Sequence, residues 1–418
     1  MPLADWPRSD LTDRLLRALA VAAKTVDAFA TSGFEEPDDP AVSVTADKAV
    51  AETAMLLHAA FHATADKRVR ARVSGVATAL AAAARTETVL LRAALHPSLA
   101  EGMAISHVLL TGLGYPDRNA DVVFAASARS LGSSGHELPP YGVLEKLWIR
   151  ELWGVPVPGA AWRQVIRSSG LATSHDLVGG LREDSYAFTH ALMYCTDFGA
   201  RRRRLPRENW ALLADARALL AVCVDSGDYD LAGEVLMAWP FLGERWCATA
   251  SFVFRVLAIA EDKAGLLPGG TTNPARLRSL SGDRRRNYAI GTAYHTAYVM
   301  GILCAVSLRR GRAPSNRLAR SDTDQSLPSE IGEVLVIDQP DVQTALAHLS
   351  DGERDAIASF LVDLEVARAM RTRDYGRLAN LLRAVHAIGY PSSPLRTQAV
   401  DLLNRLVLAA GARGQASV

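Results

Sequence analysis

Gly227-Asp-Tyr-Asp-Leu-Ala232 and its echo Arg373-Asp-Tyr-Gly-Arg-Leu-Ala379 decide how this chain folds. In each, small or acidic turn residues stop one apolar helical segment, and the next starts within a few positions. A second pair behaves alike: Gly112-Leu-Gly-Tyr-Pro116 and Ala387-Ile-Gly-Tyr-Pro391 both break helical patterning. Connections this short make antiparallel helical hairpins. The echoes are irregular, without the fixed period of about 34 residues that marks tetratricopeptide or ankyrin arrays. The expectation is an all-α protein, with helical hairpins in an irregular α/α toroid or solenoid. Residues 1–418 read as a single large domain, with 1–130 as an N-terminal helical layer and 131–418 as the pocket-bearing part.

Working outward, Leu11 to Thr31 reads as a first helix, closed by the loop Glu35-Glu-Pro-Asp-Asp-Pro40. Alanine-rich helical patterning runs from Thr45 to about Leu95. His96-Pro97 ends it, because proline biases the preceding residue away from helix. A further helix covers Leu99 to Leu113. Glu333-Val-Leu-Val-Ile-Asp338 carries the one short strand signal. Two stretches read as loops flanking a helix at Tyr294-His295. One runs from Leu267 through Asp283-Arg-Arg-Arg286, the other from Arg309 to about Ser329.

Composition excludes several classes. The 418 residues carry 46 basic and 45 acidic side chains, a net charge of +1, so no global field recruits nucleic acid or a membrane. Cys195, Cys223, Cys247 and Cys304 are widely spaced, with no CxxC pair for a structural zinc. The first ten residues lack the basic and apolar regions of a signal peptide. A soluble cytoplasmic protein with reduced thiols is the expectation.

The chemistry-bearing residues fall on two segments. On a helix from Glu183 to Gly199, the residues Glu183, Tyr186, His190, Tyr194 and Asp197 form one stripe. Carboxylate, phenol and imidazole together suit proton transfer, with His190 as base or acid, Tyr194 as its partner and Asp197 orienting one of them. Their other reading is a polar network tying helices together. In the second segment Tyr294 and Tyr298 share a face, and His295 sits among small residues that leave room for a ligand. Gly301, inside the same helix, points to a close helix approach. Glu244 and Arg245 read as the first turn of a helix, where the helix dipole favours a carboxylate. Arg201 to Arg204 and Arg284 to Arg286 are basic clusters that suit either solvent or an anionic group. His58 and His62 share a helix face extended by Asp66, but Ala59-Ala-Phe61 between them is not the pattern of a zinc protease. No metal and no cofactor are expected.

No Walker A loop, dinucleotide fingerprint or nucleophile elbow occurs. The hairpin organisation, Trp246-Cys247 and the glycine-rich turn from Gly265 to Gly270 resemble the α/α-toroid cyclases that close thioether rings in lanthipeptides. The same features are similar to those of actinobacterial helical proteins encoded near natural-product enzymes. The resemblance covers residues 180 to 400. It implies a biosynthetic enzyme acting on a peptide or small molecule, beside a partner enzyme. The zinc ligands of those cyclases are not matched, since no Cys-His dipeptide is present. What remains is metal-independent acid/base chemistry by a cyclase or lyase. His190, Tyr194, Asp197 and His295 are the catalytic candidates. Glu183, Tyr186, Tyr294, Tyr298, Arg201, Arg204 and Trp246 are the substrate-binding ones. The rival expectations are a non-catalytic helical-repeat protein that binds a peptide or partner enzyme, and a terpene or diphosphate cyclase-like enzyme.

Overall fold

A computed structural model of the chain describes residues 4–31, 46–132, 135, 137–319, 335 and 337–415. Its described residues form α-helices without a β-sheet, as the all-α expectation requires; a lone bridge pairs Asp5 with Ser315.

Helix α1 is Arg8–Thr31. The segment read as one helical stretch after it is three helices: α2 (Ala46–Ala63), α3 (Lys67–Ala83) and α4 (Glu87–Leu95). Asp66 caps α3 by accepting from Arg68 N and Val69 N, and Thr86 caps α4 by accepting from Val89 N. Asp66 therefore does not extend the His58–His62 face. The break at His96 is as expected, followed by a 3₁₀ turn (Pro97–Leu99) and then α5 (Ala100–Met103), α6 (Ile105–Gly112) and α7 (Arg118–Ala128). Next come α8 (Pro140–Leu152), α9 (Gly159–Ser168), α10 (Arg182–Thr196), α11 (Asn209–Ser226), α12 (Tyr229–Leu236), α13 (Ala238–Leu242) and α14 (Ala248–Ala264).

The two echoes are structural. Asp228 caps α12 through Leu231 N, and Asp374 caps a later helix through Arg377 N. Before each cap the chain takes a left-handed residue, Gly227 (φ 70°) in one case and Arg373 (φ 58°) in the other. Gly114 (φ 96°) and Gly389 (φ 66°) play the same part in the Gly-Tyr-Pro turns, where Tyr115 N reaches back to Leu110 O and Tyr390 N to Val385 O.

The second half departs from expectation in three places. Pro274–Ser279 is helix α15, and Asp283 to Arg286 lie in the first turns of α16 (Gly282–Ser307) rather than in a loop. Glu244 and Arg245 precede α14 and do not begin it; Glu244 instead accepts from Asn209. Of the strand expected at Glu333–Asp338, residues 333, 334 and 336 lie outside the described residues; Leu335, Ile337 and Asp338 are irregular. The chain continues through α17 (Pro340–Ala347), α18 (Asp351–Ala356), α19 (Ala358–Arg371), α20 (Tyr375–Ala387) and α21 (Pro394–Gln415).

Helix α16 organises the packing, lying against α1, α2, α12 and α13. It is long and apolar enough to cross a membrane, but 83% of its most apolar window is buried inside the protein. A helix apolar on every side belongs at the centre of a core. One cluster of buried apolar side chains extends from Leu11 to Ala399.

Candidate functional site

Helices α2, α6, α8, α10, α12, α13 and α16 line a cavity of about 290 Å³. One end is apolar: Met55, Ile105, Met193, Met237, Phe241 and Ile302 line it. The other end is ionisable, formed by Lys48, Glu52, Tyr141, Tyr186, His190, Glu234 and His295. A wider recess of about 900 Å³ shares Lys48, Tyr141, Tyr186 and His295 with it, and adds Asp230, Arg182 and Tyr294. The ionisable end thus lies where the recess and the cavity meet, while Glu145 and Tyr194 add polar groups elsewhere in the cavity wall.

His190 and His295 come together there. Glu234 stands between them, with Oε2 3.6 Å from His190 Nδ1 and Oε1 3.6 Å from His295 Nε2. His190 Nδ1 faces the Tyr186 carbonyl at 3.0 Å. A carbonyl only accepts, so Nδ1 carries the proton and Nε2 keeps the lone pair. Tyr186 stacks on the ring at 3.7 Å between centroids. Burial holds the His190 pKa below its usual value despite the opposing charge of Glu234, so the ring is a neutral base.

His295 is the opposite case. Burial lowers its pKa, but Glu52 and Asp230 outweigh that and raise it well above the ordinary range. Glu52 Oε2 lies 3.1 Å from His295 Nδ1, close enough for an ion pair and misaligned for a hydrogen bond. Asp230 Oδ1 lies 3.5 Å from Nε2. Burial pushes Glu52 and Glu234 upward, and their histidine neighbours more than reverse it, so both sit below the usual carboxylate range. Burial dominates at Asp230, which is raised. One helix thus carries two carboxylates, four residues apart, with opposite tendencies.

The expected site residues divide into three groups. Tyr186, His190, Tyr194, His295 and Tyr298 line the inner cavity, and Glu183 and Tyr294 line the outer recess. Tyr194 donates to Glu145 Oε1 at 2.5 Å, and Tyr298 pairs with Thr53 at 2.9 Å. Asp197, Arg201, Arg204 and Trp246 do not line either cavity. The stripe fails at Asp197 because α10 ends at Thr196, and Asp197 (φ 48°) and Phe198 (φ 51°) turn left-handed. Asp197 Oδ1 is held instead by Trp148 Nε1 at 2.9 Å and His58 Nε2 at 3.1 Å. Arg201 and Arg203 both pair with Glu151, and Trp246 stacks near Trp239 while donating to Arg312 O.

Sequence reasoning passed over Lys48, Glu52, Tyr141, Glu145, Asp230 and Glu234. One signal was present: Glu234 is a lone carboxylate in the apolar run Leu231-Ala-Gly-Glu-Val-Leu236. A buried helix keeps such a group only with partners. The wall also takes Glu52, Met55 and Ile105 from residues 1–130, so the pocket is not confined to 131–418.

Residues 15–305 match the family described as a domain of unknown function (DUF6895). The chain belongs to that family. The DUF6895 span contains all the residues lining the inner cavity, from Lys48 to Ile302, so this chamber lies within what the family model describes. No curated protein and no solved structure matches the chain.

The histidines predict how stability depends on pH. Burial depresses the pKa of His62, His107, His175 and His190 below the unfolded value of about 6.5. Their contribution is present above that pH and is lost as pH falls, because the unfolded chain binds protons first. His295, raised, contributes below about pH 6.5 and loses its contribution only as pH climbs through its folded value. The urea unfolding midpoint is expected to drop between about pH 7.5 and pH 5.5. An unchanged or higher midpoint at the lower pH would contradict the neutral state of the four rings.

Proposed function

We propose that this protein is an enzyme that performs acid/base chemistry in the inner cavity, on a small molecule or peptide side chain with an apolar body and a polar end. The observation that carries the reading is the meeting of His190 and His295 on either side of Glu234 in one cavity. His190 is the base: it is neutral, held by its Nδ1–H, and has a free lone pair at Nε2. His295, ringed by Glu52, Asp230 and Glu234, marks the charged end that receives the polar group of the substrate. Met55, Met193 and Phe241 hold the apolar body. Separated histidines along an open groove would have favoured a peptide-binding repeat protein instead. The chamber's size suits a metabolite or one or two side chains. The biosynthetic setting, the cyclase or lyase class and the irregular toroid arrangement belong to this proposal.

Incubating the purified protein with pooled small-molecule extracts in D2O tests it. Mass spectrometry should find a product, or deuterium at a carbon-bound position, that depends on the protein. His190→Ala is expected to reduce that conversion by about 10²–10⁴-fold while leaving the circular dichroism spectrum unchanged. Full conversion by a folded His190→Ala protein would sink the assignment, and tight binding without conversion would favour the binding-protein reading.

A further inference from the structure

We propose that Asp230, Glu234 and His295 form a binding site for a divalent first-row transition-metal ion, coordinated by Asp230 Oδ1, Glu234 Oε1 and His295 Nε2. The inference deepens the acid/base reading, and rests on it for the role of the ion but not for its binding.

The spacing of the three atoms is the first argument. Nε2 of His295 lies 3.5 Å from Asp230 Oδ1 and 3.6 Å from Glu234 Oε1. Both gaps exceed a hydrogen bond, which needs about 2.7–3.2 Å. They are close to the edge of a tetrahedral site, where bonds of about 2.1 Å place ligand atoms roughly 3.4 Å apart. The three atoms converge without satisfying one another. Asp230 Oδ1 is out of contact with solvent and has no hydrogen-bond partner among the described residues. The Glu234 side chain is itself only 8% exposed. Its charged neighbour His295 Nε2 stands at ion-pair distance without a hydrogen bond, which leaves this acceptor open to a bound cation.

The second argument is how the outer atom of each group is held. Thr189 Oγ1 donates to Glu234 Oε2 at 2.6 Å, which leaves Oε1 turned to His295. Arg182 Nη2 donates to Asp230 Oδ2 at 3.1 Å, which leaves Oδ1 turned inward. Glu52 sits on Nδ1 of His295, the far side of the ring from the other two. A carboxylate behind a ligating histidine fixes its ring and raises its basicity, and held outer oxygens orient a ligating carboxylate. Asp230 and Glu234 are one turn apart on α12, so both carboxylates reach the same point without adjustment of the backbone.

The charge count agrees. Glu52, Asp230 and Glu234 face two fixed cations, Lys48 and Arg182, and Arg182 is shared with Asp228. Carboxylates therefore outnumber the fixed cations around the three ligand atoms. One imidazole with two carboxylates suits zinc, iron or manganese better than calcium or magnesium, which prefer all-oxygen shells. The site lies at the junction of the two cavities, beside His190. An ion there supplies a Lewis acid for the polar end of the substrate, and His190 remains the base.

The test uses the full chain, stripped with a chelator and then titrated with Zn²⁺ by calorimetry and with Co²⁺ by absorption. One ion per chain is expected. Asp230→Asn and Glu234→Gln should each weaken Zn²⁺ binding by more than about 100-fold, and Glu52→Gln by about 10–100-fold. Circular dichroism melts identify folded variants; should Asp230→Asn fail to fold, Glu234→Gln and Glu52→Gln carry the comparison. No stoichiometric ion, or an affinity equal in folded wild-type and variant proteins, overturns the site. His190→Ala separates the two claims. Normal ion binding with conversion indifferent to His190→Ala removes the base and supports the ion; absent ion binding with conversion lost in His190→Ala removes the ion and keeps the base.

Discussion

Replacing Arg14 with alanine is expected to destabilise the protein by about 3–5 kcal/mol, toward the lower end of that range. The Arg14 side chain is 3% exposed and ties α1 to α14. Its guanidinium donates to Asp10 at 2.8 Å, to Glu261 at 2.5 Å and to Asp262 at 2.9 Å. Burial opposes its charge, and these three carboxylates more than compensate. Truncation would leave Glu261, only 3% exposed, with Arg17 at 3.2 Å as its remaining partner. An uncompensated buried carboxylate is the costly part. Urea unfolding should therefore show Arg14→Ala far below wild type, and Arg14→Met with Glu261→Leu much closer to it. A loss under about 1 kcal/mol for the single variant would mean that the pair is not buried as described.

Gly301→Val is expected to cost about 3 kcal/mol, the upper part of the range for overpacked cores. A β-carbon added at Gly301 would lie 2.5 Å from Ala18 Cβ and 3.0 Å from Leu56 Cδ1. Ordinary carbon contacts need about 3.5–4.0 Å, and Ala18 has no flexible end to swing away. Helix α16 would have to separate from α1 and α2. Gly301→Ala alone meets the same collision, lessened by alanine's better helix propensity of about 1 kcal/mol. Combining it with Ala18→Gly removes the collision, so the double variant should recover most of the loss in thermal melts. A double variant no better than Gly301→Ala would place the strain elsewhere.

The helices were legible because their ends are written locally. Asp228, Asp374, Gly114 and Gly389 each act on atoms within five residues of themselves. The three-helix division of residues 46–95 could have been read from Asp66 and Thr86, both cap residues. The site was legible only along one helix at a time. The stripe on α10 correctly grouped Tyr186, His190 and Tyr194, and lost Asp197 when a left-handed turn ended the helical period. The close approach expected at Gly301 is present, although its partners, Ala18 and Leu56, lie far away in sequence. Glu52, Glu145 and Glu234 reach the cavity from other helices, so only packing brings them to His190 and His295. Periodicity reports which face a residue occupies, and says nothing of which faces meet.

The central position of α16 bears on how the chain is made. Helix α1 packs mainly on α16, and Arg14 waits for Glu261, 247 positions further along. At a synthesis rate of about 5–20 residues per second, that interval lasts on the order of 10–50 s. For all that time the apolar stripes of α1 and α2 have been made and their partner has not. Hairpins such as α20–α21 close locally, but the N-terminal helices depend on contacts of high sequence separation. The nascent first half therefore completes its native core only after α16 has been made.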